Sequence, residues 1–155
     1  MKEVCIVGRA PGFEKCLDTP GEIWAVSTVF HQLPSDRVDW IFNLHQPEAM
    51  EGWLNDEAGR VISVYGPFQR FPAEYLLNKY GPVFGSSIAW MIAYALEEGY
   101  QRIYITGADM ATHQEYIDQR DTVFYWIGRA EAAGIEVIIP PDSRLYFKDR
   151  IYGVM

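Results

Sequence analysis

Six short β-rich apolar runs punctuate the chain, and each ends at a turn-forming or polar residue. The first, Val4–Gly8, is apolar throughout and runs straight into Arg9-Ala10-Pro11-Gly12, the pattern of a strand buried on both faces that ends in a turn. A strand of that kind cannot lie at the surface of an antiparallel meander. It needs cover on both sides, and that requirement limits the fold more than any other feature of the sequence. The runs Glu22–Ser27, Asp39–His45, Val61–Gly66, Arg102–Gly107 and Ile135–Pro140 have the same character, although the place of Val61–Gly66 in a sheet is left open.

Two helices are predicted between these strands. In Ser86–Glu98, the residues Ile88, Met91, Ile92, Ala95 and Leu96 fall on one face at helical spacing, and Gly99 stops the helix. In Glu115–Ala133, Val123, Phe124, Ile127 and Ala130 face the sheet and Gly134 is the stop. The polar stretch 51–60 predicts a short helix and a turn, and the Pro- and aromatic-rich stretch after Gly66 reads as a connection. Alternating strands and helices with few hairpin signals predict an α/β fold, a Rossmann-like three-layer sandwich with a mainly parallel sheet and right-handed crossovers. At 155 residues the chain is expected to form one domain, 1–155.

Composition narrows the range of partners. A formal net charge of −8 removes the electrostatic term on which nucleic-acid binders depend, so DNA and RNA are not expected partners. A nucleotide-sized anion is compatible with that charge, because helix N-termini and backbone amides hold phosphate without net positive charge. Aromatic residues make up 15% of the chain, enough to supply a pocket wall as well as a core. Cys5 and Cys16 have no metal-ligand spacing and are expected to be reduced. His31, His45 and His113 form no ligand triplet, so neither metal nor cofactor is expected. The N-terminus has no signal-like segment and no apolar run approaches a membrane span, which predicts a cytoplasmic protein with no membrane partner.

In open parallel sheets, ligands bind beyond the carboxyl ends of the strands, where loops and helix N-termini converge. The residues following the predicted strands are therefore the candidates. Gly8, Arg9, Pro11 and Gly12 follow the first strand, where the two glycines suit either close approach to a phosphate or ribose or a plain tight turn. Ser27 and Thr28 follow the second strand, Asn43 and His45 the third, and Gly107, Asp109, Met110 and His113 the fifth. Gly85-Ser86-Ser87 precedes the first helix and offers either an anion site or a simple cap. The densest polar cluster is 107–120, in which Tyr116 and Arg120 lie one helical turn apart, as do Glu115 and Gln119. A P-loop, a G-x-S-x-G elbow and an H-E-x-x-H motif are all missing from the sequence.

The segment SSIAWMIAYALEEGYQRIYITGADM, with the opening VCIVGRAPGF and the strand WAVST, resembles a Rossmann-like group of three families. These are the motility accessory factors, the 6-hydroxymethylpterin diphosphokinase-like proteins and the family 42 sialyltransferases. The resemblance implies that Gly8, Pro11 and Gly12 lie along a nucleotide and that Ser27 and Asn43 flank its base or ribose. It also implies that Ser86, Ser87, Gly107 and Asp109 line the same cleft. Arg9 or Ala10 stands where the group's middle glycine falls, and Ser27 where it often has Asn. GADM, EYIDQR and IIPPDSRL are similar to small uncharacterised proteins of tailed bacteriophages, which implies a host-cytoplasmic location.

The sequence is compatible with three functions. The first is capture of a nucleotide-derived messenger, as by a phage sponge that sequesters a bacterial immune signal. Arg9 and Arg120 would then meet phosphate, Asp109 or Glu115 ribose hydroxyls, and Tyr116 or Trp126 the base. The second is a small nucleotide-sugar-dependent transferase or nucleotide hydrolase with Asp109, His113 or Glu115 as general acid or base. The third is a structural or protein-partner module meeting its partner through surface aromatics such as Trp53 and Tyr80. A homo-oligomer suits any of the three.

Overall fold

The computed structural model describes residues 1–44, 52–65, 69–110 and 114–153, with backbone alone for 114–117. His45, Gly66, His113 and the side chains of Glu115 and Tyr116 lie outside the described residues. The strands are β1 (Glu3–Val7), β2 (Glu22–Val26), β3 (Trp40–Asn43), β4 (Val61–Ser63), β5 (Arg102–Thr106) and β6 (Glu136–Ile138). They form one all-parallel sheet in the order β4-β3-β2-β1-β5-β6. The three α-helices among the described residues are α1 (Ala73–Tyr80), α2 (Ser87–Glu97) and α3 (Gln114–Ala132). The fold is the α/β, Rossmann-like arrangement that the alternating pattern predicts.

Strand order and crossover handedness together decide which face each connection covers. From β1 the chain steps outward through β2, β3 and β4, then returns to the other side of β1 for β5 and β6. Right-handed crossovers put connections running in opposite directions on opposite faces of the sheet. The short 3-10 segments Phe13–Asp18 and Ser27–Gln32 therefore cover one face, and α2 and α3 the other. β1, at the centre, is covered from both sides, and Val4, Cys5, Ile6 and Val7 are fully buried.

Helix α2 buries Ile88, Ala89, Met91, Ile92, Ala93 and Ala95, and its small residues let it lie close to the sheet. In α3, Val123, Trp126, Ile127 and Ala130 are buried, while half-buried Phe124 meets Phe147 edge to face at 5.4 Å. The stretch after Gly66 is more than a connection, since it holds α1. That helix starts after Pro72 and buries one side chain, Leu76, along its length, so its apolar stripe is too thin to stand out in the sequence. Stretch 52–60 is 3-10 helix, consistent with the short helix expected there.

Three aromatic side chains are placed differently from the sequence expectation. Trp126 is fully buried and its Nε1–H donates to the Val83 carbonyl at 2.8 Å, so it cannot stack on a base. Half-buried Trp53 stacks on Phe30 at 5.5 Å, and half-buried Tyr80 donates its hydroxyl to Glu97. Both rings serve the core's edge rather than a free surface. Cys5 and Cys16 are free and buried, and burial pushes their thiols up to about 11 and about 12.

Candidate functional site

The site is built where β1 and β5 leave the sheet toward opposite faces, the point at which the strand order reverses. Their parallel pairing ends at Val7 opposite Thr106, yet the two chains stay in contact beyond it. Gly8 donates its N–H to the Thr106 carbonyl at 2.9 Å, and Ala10 to the Gly107 carbonyl at 2.8 Å. A Cβ on Gly8 or on Gly107 would collide with the other residue's carbonyl oxygen, and Gly107 has φ 67°. Both glycines are thus required by a backbone crossing, a close approach of chain to chain that the sequence reading of Gly8 did not include.

A cleft of about 690 Å³ opens over this crossing. One side is the β1 loop, with Gly8, Arg9, Ala10 and Pro11, and the other is the start of α2, with Gly85, Ser86, Ser87 and Ile88. Ala108, Asp109 and Met110 after β5, together with Gln119 of α3, complete the polar end. Met110 has φ 53°, the one positive value at a non-glycine among the described residues. Backbone strain of this sort collects at ligand sites, and here it falls within the cleft.

The α2 end of the cleft is a capped helix N-terminus. Ser86 caps the helix, its Oγ accepting the Ala89 N–H at 3.2 Å. The amides of Ser87 and Ile88 belong to the first turn, where no intrahelical partner exists, and the helix dipole places about half a positive charge there. The Ser86 hydroxyl serves Ala89, and the two residues whose amides precede it, Ser87 and Ile88, line the cleft. Ser86→Ala is expected to destabilise the protein by about 1 kcal/mol, a fall in melting temperature of about 2–4 °C that differential scanning calorimetry would register.

The position of this helix start is fixed from α3. Gly85 donates its N–H to Thr122 Oγ1 at 2.9 Å, and that hydroxyl donates to the Gln119 carbonyl at 3.2 Å. Next to it stands an aromatic wall, in which Phe84 and Trp90 stack at 3.8 Å with planes 7° apart and both line the cleft. Buried Trp126 backs Phe84 at 5.1 Å.

Of the residues expected from sequence, Gly8, Arg9, Pro11, Ser86, Ser87, Gly107, Asp109 and Gln119 come together in this cleft. Gly12 instead lines an adjoining groove of about 310 Å³, beside Glu14, Lys15, Asp142 and Ser143. Ser27 and Asn43 are buried and bond to each other, Ser27 Oγ donating to Asn43 Oδ1 at 3.0 Å. From these two strands it is Val26, Thr28 and Leu44 that line the cleft. Arg120 does not line it. The guanidinium lies over Phe124 and donates to the Arg144 carbonyl at 3.2 Å, bracing the C-terminal segment.

Asp109 sits between the two cavities and lines both. Its Oδ1 accepts from Ser143 Oγ and from the Arg144 N–H, each at 3.3 Å, so the half-buried carboxylate is held in place. Across the groove, Lys15 Nζ bonds both oxygens of Asp142 at 2.7 Å and holds that carboxyl below its ordinary range. No group of three or more His, Cys, Asp or Glu side chains that could hold a metal occurs among the described residues. No helix among them is long and apolar enough to cross a membrane.

No protein-family model matches the chain, and no curated protein matches it. Solved structures do. The sialyltransferase CstII of Campylobacter jejuni in complex with the substrate analogue CMP-3FNeuAc matches at 16% identity and TM-score 0.48, over 94% of this chain and 83% of that one. The same enzyme in complex with cytidine-5'-monophosphate matches at 18% identity and TM-score 0.48, over 94% and 82%. An alpha-2,3-sialyltransferase of the same organism in apo form matches at 16% identity and TM-score 0.49, over 94% and 77%.

Proposed function

We propose that this chain binds a nucleotide or nucleotide-derived small molecule in the cleft over the β1–β5 crossing. The observation that carries the reading is convergence. A capped helix N-terminus whose first residues Ser87 and Ile88 line the cleft, a glycine-built backbone crossing with Arg9 beside it, and a Phe84–Trp90 wall share one cavity of about 690 Å³. Volumes of this order suit ligands of nucleotide size. The phosphate belongs at Ser87 and Ile88 with Arg9, the base against the aromatic wall, and the ribose toward Asp109 and Gln119, whose oxygens accept from its hydroxyls.

The finer form of the proposal is capture rather than conversion. Asp109 is engaged through Oδ1 by Ser143 and Arg144, an arrangement that suits holding a ligand in register more than passing a proton. Sequestration of a bacterial signalling nucleotide by a phage-encoded protein is the biological setting in which simple capture is sufficient, and the likeness to phage sequences supports it.

Thermal unfolding across nucleotides, linear and cyclic dinucleotides, ADP-ribose derivatives and nucleotide-sugars tests both levels. A ligand at a hundred times its Kd is expected to stabilise by about 2.7 kcal/mol, raising the melting temperature by about 5–10 °C. Chromatography of the mixture afterwards is expected to return it unchanged. A ligand returned altered would replace capture by an enzyme, and a melt that nothing shifts would remove the nucleotide reading.

A further inference from the structure

We infer that the outer face of α3 is an interface between two copies of this chain. The two helices lie antiparallel across a two-fold axis at Tyr125, with Asp121 of each copy paired with Arg129 of the other. The inference is independent of what the cleft binds.

The exposed residues of α3 from Asp118 onward are Asp118, Asp121, Tyr125, Gly128, Arg129 and Ala132. Steps of three and four keep them on one side of the helix, away from the side that buries Val123, Trp126, Ile127 and Ala130. Gly128 stands out among them. It lies inside the helix, where glycine costs backbone entropy, and its φ is not positive. A Cβ there would meet nothing within 4 Å. Neither backbone conformation nor packing within the chain asks for glycine at this position, whereas the close approach of another helix does, and Ala132 one turn on extends the gap.

Charge identifies the helix that approaches. Asp121 is exposed and makes no hydrogen bond or ion pair among the described residues. Arg129 lies over the rings of Tyr80, Trp126 and Tyr125 at 4.9, 5.7 and 5.8 Å, and donates one N–H to the Tyr125 hydroxyl at 2.9 Å. The rings take the flat face of the guanidinium and one of its five N–H donors is used, so donors at its edge remain for a carboxylate. No carboxylate of this chain pairs with it among the described residues. The rings also hold the side chain still, which reduces the entropy lost on pairing.

Asp121 and Arg129 each lie one turn from Tyr125, in opposite directions along the helix. A second copy turned end over end about Tyr125 brings its Asp121 to the height of Arg129 and its Arg129 to the height of Asp121. Two equivalent ion pairs form, and Gly128 and Ala132 leave room between the helices. A parallel copy would set Asp against Asp and Arg against Arg. One helix pair is at the small end of the interface size range and each copy carries a net charge of −8, so the dimer is expected to be reversible, with a Kd on the order of 10 µM.

The test is sedimentation equilibrium and native mass spectrometry of the whole chain across a concentration series. The parent is expected to shift from one chain toward two as concentration rises. Asp121→Arg changes an exposed, unpaired side chain, so its melting temperature is expected to match the parent's while its dimer Kd rises about tenfold or more, because Arg then faces Arg. Arg129→Asp sets Asp against Asp with the same effect on the dimer. Mixed in equal amounts, these two variants are expected to form a heterodimer with about the parent's Kd, since both unlike pairs are restored. Tyr125→Cys, on the axis, is expected to give a disulfide-linked dimer with an oxidant, because Cys5 and Cys16 are buried. A parent that stays a monomer at every concentration overturns the inference, as does a dimer whose Kd is unchanged by Asp121→Arg. Weakened single variants that fail to combine overturn it too.

Discussion

Gly107→Ala is expected to destabilise the protein by about 2–5 kcal/mol, with a fall in melting temperature of about 5–15 °C. Two penalties combine there. The backbone φ of 67° is strained for any residue with a side chain, and a new Cβ would overlap the Gly8 carbonyl and stand 2.7 Å from Phe13 Cβ. Neither neighbour can yield cheaply. Gly8 is tied to β5 through the Thr106 carbonyl, and Phe13 opens the 3-10 turn that covers the sheet. Gly12→Ala provides the contrast, since its φ is 95° but the space around it is open, with Lys15 Cε the nearest atom at 4.0 Å. That variant is expected to lose about 1 kcal/mol, so the difference between the two in denaturant titration isolates the strand crossing from the torsional strain. Equal losses would mean that the crossing is not a rigid point of the fold.

The same crossing explains which features could be read from the sequence. The run Val4–Gly8 is apolar at every position because β1 is covered on both faces, so its hydrophobicity directly recorded its central place. Strand order was not encoded in that way. It depends on which side of β1 each later strand joins, and β4, with three residues, leaves only a faint trace. Helix α1 has little sequence signal because tertiary contacts, buried Leu76 together with Lys79 and Tyr80 on Glu97, hold a stretch that begins after a proline.

In the site, the backbone features were legible and the side-chain directions were not. Glycines and a serine cap are local devices, and Gly8, Ser86 and Gly107 stand where strand ends and a helix start place them. Ser27 and Asn43 were polar and correctly located near strand ends, but whether such a pair faces a ligand or each other depends on the register of β2 against β3. Arg120 had a similar ambiguity, resolved by the C-terminal segment that lies against it. Phe84 and Trp90 carried no signal of their own as a wall. Proximity to Gly85-Ser86-Ser87 was the available hint, since a ring beside a helix N-terminus stands next to the residues singled out as candidates.

The two tryptophans near the cleft are expected to separate stability from binding. Trp126→Ala removes a fully buried indole that backs Phe84, meets Tyr80 edge to face at 4.8 Å and caps the Val83 carbonyl. A loss of about 3–5 kcal/mol follows from the cavity alone, a fall of about 6–20 °C in melting temperature. Trp90 is half-buried, lines the cleft, and is held by Phe84 and Phe71, so its removal leaves a surface notch rather than an internal cavity. Trp90→Ala is expected to lose about 1–2 kcal/mol of stability. Its affinity for a nucleotide should fall by about tenfold or more, the contribution of one stacked base. Measured by thermal melts and calorimetric titration on both variants, that inversion assigns the base to the wall. If Trp90→Ala binds as the parent does while Trp126→Ala still unfolds early, the rings serve only the core's edge and the base lies elsewhere in the cleft.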